Sequence, residues 1–463
     1  MKAKYKILLK DSVVFAIGNL SSKFILFLLV PLYTNYLSTG EFGTADLVLN
    51  LASLFSITFS ICLHHSILRF SMERDRSKED VLVTAFLVQG VAMLFPIMLY
   101  PVIGLYAPVR ELRVYMLGQM ALTVISDSEM AYLKANGYNK IYSLVGVLRT
   151  VALALVNILF LRVVHFGLRG YLLANIISSI IAVVAPLFLS PLVGAFRKGR
   201  FIKSLCVQMV KYSSPFIIST TCWWSLQFAD RYIVQKYLGE DVLGIYSVAA
   251  KMIALVNIFI SIFYQAWGLS SIREAEGDND QKYYSNICNW YIALMLGVGI
   301  VLVGITRPFM KIYVGTEFLD AAQYTPILLT GSVFYGISAF FSTLYQAYKK
   351  SMASVIPVMI CSAFDILMCI ILIPLCGLWG ACIAYLMSYL CYVVYLMVDT
   401  RRLVKFDRQN VKWIIGSCLL MIEMISVSVD KYALRLFVTV LIFYFILNID
   451  VFSQLIKGIK KNR

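Results

Sequence analysis

The chain has 463 residues, of which 60% are hydrophobic and only 14% are charged. Soluble domains carry about 25% charged residues, so the composition excludes a soluble globule of this length. Uncharged apolar runs recur to the end of the chain, and runs of about 20 such residues match the hydrocarbon thickness of a bilayer. The sequence therefore predicts an all-α, polytopic membrane protein.

The apolar segments predict about fourteen transmembrane helices. The first follows MKAKYKILLK with no small-residue cleavage site and is too long for a signal-peptide core, so we expect it to be retained. The predicted spans are 12–34, 44–66, 81–104, 113–134, 141–163, 170–192, 213–236, 244–268, 285–305, 324–346, 352–374, 377–398, 411–429 and 432–450.

The net charge of +16 reflects topology. Lys and Arg concentrate in alternate connecting segments, which predicts that both termini are cytoplasmic, and attraction to anionic membrane lipids adds to this bias. We therefore expect no nucleic-acid partner.

The cysteines lie mostly in apolar runs and the three histidines form no ligand pattern, so we expect neither a metal nor a cofactor.

The two halves of the chain resemble each other at an offset of 201 residues. KDSVVFAIGN, from Lys10, falls on KYSSPFIIST, from Lys211. Identical residues recur without a gap through two predicted helices and their turn, at positions 10, 12, 15, 17, 27, 36, 37, 43, 54, 57, 60 and 61. This pattern predicts two parallel six-helix lobes related by an axis along the membrane normal, with substrate between them.

The predicted domains follow from this repeat. Residues 1–200 hold helices one to six, and residues 201–400 hold helices seven to twelve. Residues 401–463 hold helices thirteen and fourteen and a basic cytoplasmic tail.

Two turn motifs carry a family resemblance. DRYIV followed by YLGEDVLGIYSVAAKM, together with YLSTGEFGTADL in the first half, resembles the oligosaccharide flippases, the polysaccharide-export branch of the multidrug/oligosaccharidyl-lipid/polysaccharide exporter superfamily. The resemblance implies a MATE-like, two-lobed transporter of the cell inner (cytoplasmic) membrane rather than an enzyme. It would move undecaprenyl-diphosphate-linked oligosaccharide from the inner to the outer leaflet, and it implies a polysaccharide polymerase and glycosyltransferases as further partners.

Basic residues inside predicted spans are candidate substrate-binding groups, because a charge at mid-membrane costs about 2.5–3.5 kcal/mol and persists where it faces a cavity or a partner. Asn19 and Lys23 share one face of the first helix with Ser12. The alternative for Lys23 is a buried structural ion pair.

The second lobe repeats this polar stripe. Gln227 and Arg231 follow Ser213 and Thr220 on one face of helix seven. Asp230 points about 100° away from Arg231, so we do not expect the two to pair. The alternative for Arg231 is snorkelling of its long side chain to the outer headgroups.

Two further bases and two acids complete the candidate set. Lys251 falls on Asn50 in the repeat, which favours a cavity role, whereas Arg149 is close enough to the cytoplasmic end of its helix to snorkel. Asp365 and Glu423 lie deep in their helices, where each is either an ion-coupling carboxylate or the partner of a buried base. Asp127 and Glu129 are interpreted as residues of a solvated helix end.

These residues predict a divided cationic site that binds the lipid-linked diphosphate through charge-assisted hydrogen bonds, with alternating access by rocking of the lobes. The main rival is a multidrug or cation antiporter of the same fold. Such exporters favour acids for cationic cargo, whereas the first helix carries Lys23 and no acid between Ser12 and Tyr33. A polymerase would need a large outer loop, which the predicted topology does not provide, and a scaffold would not explain paired polar stripes.

Overall fold

The structure is a computed structural model that describes residues 22–73, 75–276, 281–348, 355–402, 410–429 and 433–451. Every element in these ranges is helical, which confirms the predicted all-α class. The α-helices of the first half are α1 Val30–Tyr36, α2 Thr39–Phe59, α3 Leu63–Phe70, α4 Lys78–Met98, α5 Tyr100–Ile103, α6 Arg113–Ala135, α7 Asn139–Asn157, α8 Gly167–Leu189, α9 Leu192–Lys198 and α10 Lys203–Leu238.

The second half continues in the same manner. Its α-helices are α11 Glu240–Lys251, α12 Ile253–Glu276, α13 Gln281–Gly304, α14 Thr306–Tyr313, α15 Ala321–Ala347, α16 Val355–Cys376, α17 Leu378–Asp399, α18 Asn410–Val429 and α19 Ala433–Leu447.

Ten helical segments of the described residues are long and apolar enough to cross a membrane, so the chain is a multi-pass membrane protein. Each corresponds to one of the predicted spans. Four predicted spans have no counterpart among these ten. The first span is described only from residue 22, and two others correspond to the charged helices α6 and α10. The last corresponds to α19, whose apolar part is the shorter Leu436–Leu447. The count of fourteen stays a prediction.

The chain forms two compact units, Met1–Phe228 and Ala229–Arg463, called unit 1 and unit 2 below. Their boundary falls inside α10, which begins at Lys203, ten residues before the predicted start of that span. The early start has a physical reason: Leu205 and Met209 are buried in an apolar cluster with residues of α3, α4 and α6. The division at residues 200 and 400 stays a prediction.

A capping box fixes the first turn motif. The Glu41 N–H bonds to Ser38 Oγ at 3.3 Å, and the Ser38 N–H bonds to Glu41 Oε2 at 3.0 Å, which satisfies two donors at the start of α2. In unit 2, α11 begins at Glu240 after Gly239, whose φ is 89°. The starts of α2 and α11, Thr39 and Glu240, differ by the predicted offset of 201 residues.

The second predicted span is interrupted in unit 1. Between α2 and α3, Ile61 and Cys62 have φ angles of 54° and 49°, a left-handed conformation that is unfavourable for a β-branched residue. The Cys62 N–H bonds to Ser60 Oγ at 3.2 Å, and Ser66 of α3 donates to the carbonyl of Met209 at 2.7 Å. These bonds hold α3 against α10 and support the break.

Candidate functional site

Helix α7 in unit 1 exposes two different faces. One face is apolar and presents the exposed side chains of Leu144, Leu148, Val151 and Leu155, as expected where a helix meets lipid. The other carries Tyr142, Gly146 and Arg149, spaced by four and three residues. A Cβ placed on Gly146 would meet no atom of the described residues within 4 Å, so open space lies over this polar face.

Two polar residues position the Arg149 guanidinium on this face. Arg149 Nη2 donates to Ser179 Oγ of α8 at 3.4 Å, and Gln119 Nε2 of α6 donates to the same oxygen at 3.0 Å. Gln119 and Ser179 are buried whereas Arg149 is exposed. The base is therefore anchored on one side and accessible on the other, and the snorkelling alternative for Arg149 does not describe its contacts.

An acid on α6 interacts with this polar face of α7 through its charge. Gln119, Thr123 and Asp127 recur every four residues along one face of α6, and Asp127 interacts electrostatically with Arg149 and Tyr142. Within the described part of the chain Asp127 forms no direct ion pair or hydrogen bond. Asp127 itself is exposed. We call Gln119, Thr123, Asp127, Tyr142, Arg149 and Ser179 the polar wall.

Unit 2 contains a second basic site with the opposite character. Arg231 is only 7% exposed and its Nη1 lies 3.2 Å from Asp230 Oδ1, while the hydroxyl of Tyr246 donates to Asp230 Oδ2. The expectation that Asp230 and Arg231 do not pair was therefore wrong. Adjacent Cα–Cβ bonds diverge on a helix, but the long arginine side chain folds back to its neighbour because a buried charge needs a partner.

The two deep acids are both buried. Asp365 is 2% exposed and interacts electrostatically with Asp230, and Glu423 is fully buried in α18. In the described residues, Asp365 Oδ1 and both carboxylate oxygens of Glu423 have no hydrogen-bond partner. Neither acid is thus the direct partner of a buried base, although Asp365 joins the Asp230–Arg231 cluster through its charge.

The remaining candidates are less closely grouped. Lys23 is half-buried on the helical stretch 22–28, and Asn19 lies outside the described residues. Lys251 is the last residue of α11, at the junction with α12. Gln227 is exposed, and its Nε2 donates to the Trp223 carbonyl at 3.4 Å. The predicted convergence of Lys23, Asn19, Gln227, Lys251 and Arg231 stays a prediction.

Sequence reasoning missed two members of these sites. Asp127 was assigned to a solvated helix end, although its four-residue spacing with Gln119 and Thr123 was a usable signal. Tyr246 lies sixteen residues from Asp230, and its apolar surroundings gave no indication of a role. Tyr246 was recognisable only after the helices that carry it and Asp230 had been placed together.

The chain matches the family described as "Polysaccharide biosynthesis protein" over residues 8–268, more than half of its length. It belongs to this family. A curated relative, "Lsg locus putative protein 1" of Haemophilus influenzae, is 22% identical over 260 residues, which are 56% of this chain. The chain spans 64% of the length of that relative.

Solved structures show the same fold. A lipid II flippase MurJ in an inward closed conformation superposes with a TM-score of 0.72 at 13% identity, covering 96% of this chain and all of that one. An inward-facing multidrug resistance MATE family transporter gives 0.67 at 14% identity, covering 84% and 97% of the two chains. These similarities confirm the predicted MATE-like architecture.

Proposed function

We propose that this protein is a flippase, and not an enzyme, that moves undecaprenyl-diphosphate-linked oligosaccharide across the cytoplasmic membrane for surface polysaccharide synthesis. Membership of the polysaccharide biosynthesis family and the fold shared with a lipid II flippase support this function. The polysaccharide polymerase and glycosyltransferases that act on the same lipid-linked intermediate are its proposed partners.

The accessible Arg149 on the polar wall is the observation that carries the proposal. Arg149 is the eleventh residue of α7, and Asp127 is nine residues from the end of α6, counting both ends. At 1.5 Å per residue, each lies roughly 12–15 Å from the turn that joins these helices. A guanidinium at such depth lowers the cost of bringing a diphosphate into the hydrocarbon region, because charge-assisted hydrogen bonds replace lost hydration.

The charge pattern around Arg149 also favours an anionic cargo. Residues 130–229 contain ten Lys and Arg and no Asp or Glu, so unit 1 carries a strong positive field over this region. We propose that Lys23 and Lys251, with Asn19 and Gln227, add contacts to the same headgroup during transport. Arg231 would join them only after its bond to Asp230 opens.

We propose that Asp365 couples a cation to the cycle. Asp365 is 2% exposed and interacts electrostatically with a second buried carboxylate, that of Asp230. Two like charges that are buried close together are costly, and a proton or a small monovalent cation bound at Asp365 would lower this cost. Glu423 is the weaker candidate, because it has no second carboxylate among its described contacts.

The orientation follows from the charge pattern in the connecting segments. With both termini cytoplasmic, the turn that holds Glu317 faces outward and the segment that holds Arg402 faces inward. Both residues are exposed, so single cysteines at these positions in a cysteine-free background should be reactive. An impermeant maleimide added to intact cells should label the first and spare the second, and the reverse result would overturn the orientation.

Reconstitution tests the function directly. The purified protein would be placed in vesicles that carry a fluorescent undecaprenyl-diphosphate-linked oligosaccharide, and an impermeant quencher would report the lipid in the outer leaflet. A flippase makes the whole lipid pool accessible, whereas empty vesicles protect about half of it. Protection equal to that of empty vesicles, together with ion-driven uptake of a cationic drug, would favour the antiporter and contradict the proposal.

A further inference from the structure

The polar wall of unit 1 contains a feature that a diphosphate site does not need. Asp127 is one of the last acids before a stretch of 100 residues without any, and it is exposed and interacts electrostatically with Arg149. An ionised carboxylate only accepts hydrogen bonds, and so does an ionised diphosphate. Asp127 therefore repels a diphosphate and cannot bond to it directly.

A sugar hydroxyl can form hydrogen bonds with both the acid and the base of the polar wall. A hydroxyl donates one hydrogen bond and accepts two, so it can donate to Asp127 while it accepts from the Arg149 guanidinium. The two charged groups interact electrostatically and form no direct ion pair in the described structure, so a bridging group breaks no bond between them. Tyr142, one of the three residues on the polar face of α7, adds a hydroxyl and an aromatic ring beside the acid.

We propose that Asp127, Tyr142 and Arg149 form a subsite that binds the first sugars of the lipid-linked oligosaccharide. This assignment rests on the proposed function and deepens it. Arg149, held by the Ser179 hydroxyl to which Gln119 also bonds, supplies donors to sugar hydroxyls and to the adjacent phosphate. Asp127 supplies the acceptor that distinguishes a glycosylated lipid from the bare lipid diphosphate.

The proposal predicts effects of opposite sign on two ligands. Asp127→Leu removes the only carboxylate acceptor of the subsite and also a negative charge beside Arg149. Binding of an undecaprenyl-diphosphate-linked oligosaccharide should weaken about tenfold, the loss of one charge-assisted hydrogen bond. Binding of undecaprenyl diphosphate should stay the same or tighten, because the repulsion from Asp127 is gone. Asp127→Asn keeps one acceptor oxygen and should recover part of the lost binding.

The experiment measures binding of both lipids to the purified full-length protein by native mass spectrometry in detergent. Arg149→Gln should weaken both lipids, and Glu317→Gln, at an exposed acid of unit 2, should change neither. Equal weakening of both lipids by Asp127→Leu and Asp127→Asn would show a structural role and overturn the sugar subsite. If wild-type protein bound neither lipid, the proposed function itself would fail, and the subsite with it.

Discussion

The two units place an arginine in opposite environments. Arg149 of unit 1 is exposed and is held by one hydroxyl, with open space beside it. Arg231 of unit 2 is buried against Asp230, whose other oxygen accepts from Tyr246. An accessible charge can bind a ligand without first losing a partner, whereas a buried pair must be broken. The proposed cargo-binding role therefore fits Arg149 better than Arg231, whose pairing with Asp230 stabilises unit 2.

The second predicted span of unit 1 also differs from its equivalent in unit 2 at the offset of 201 residues. Ser60 and Ile61 of unit 1 align with the identical residues Ser261 and Ile262 of unit 2. The first pair lies at a left-handed break and the second inside α12. Local sequence therefore does not decide the break. The contacts of Ser66 with Ser213 and with the Met209 carbonyl hold α3 in place on the far side of it.

Breaking the buried pair of unit 2 should destabilise the protein more than any other change considered below. Asp230→Ala leaves Arg231 buried without its carboxylate, which should destabilise the protein by about 3–5 kcal/mol. Thermal unfolding of the detergent-purified protein measures this loss. The double variant Asp230→Asn/Arg231→Met should regain much of the stability. A wild-type unfolding temperature for Asp230→Ala would show that the pair is not structural.

Substitution of the two aligned isoleucines should give smaller changes in stability. The difference between the glycine and alanine variants should have opposite signs at the two positions. Ile61→Gly should be more stable than Ile61→Ala by about 1 kcal/mol, because only glycine adopts a positive φ without steric cost. Ile262→Gly should be less stable than Ile262→Ala by about 1 kcal/mol, the usual penalty of glycine inside a helix. Comparing glycine with alanine at each site cancels the lost isoleucine contacts. If the glycine variant were more stable than the alanine variant at both sites, or less stable at both, the helix break at Ile61 would be refuted.

The smallest effect concerns the ion pair between α18 and the end of the described chain. Lys412 Nζ lies 2.6 Å from Asp450 Oδ2, and this bond holds the pKa of the Asp450 carboxyl below its usual value. The pair therefore stabilises the fold at neutral pH and loses this contribution only when acid protonates Asp450, below about pH 4. Because both side chains are accessible, Asp450→Asn should cost less than about 1 kcal/mol in thermal unfolding. A loss as large as that of Asp230→Ala would contradict the contrast between exposed and buried pairs.

The sequence predicted the features that depend on composition and length. An apolar run of about 20 residues that crosses a bilayer satisfies its own backbone hydrogen bonds only as a helix, so the fold class could be predicted. Arg149 and Arg231 were identified because charges inside such runs are rare. Their environments were not predictable. The pairing of Arg231 with Asp230 depends on the reach of a long side chain, and Asp127 gained significance only when α6 packed beside α7 and α8.

The proposed binding of cargo by Arg149 can be tested in cells. Surface polysaccharide would be quantified in cells whose only copy of the protein carries Arg149→Ala, Arg149→Lys or the control Arg162→Ala, at matched membrane abundance. Arg162 is an exposed base near the other end of the same helical segment. We predict a loss of about tenfold for Arg149→Ala, corresponding to one charge-assisted contact, partial recovery with lysine, and no change for the control. Normal polysaccharide in the Arg149→Ala strain would show that Arg149 does not bind the cargo.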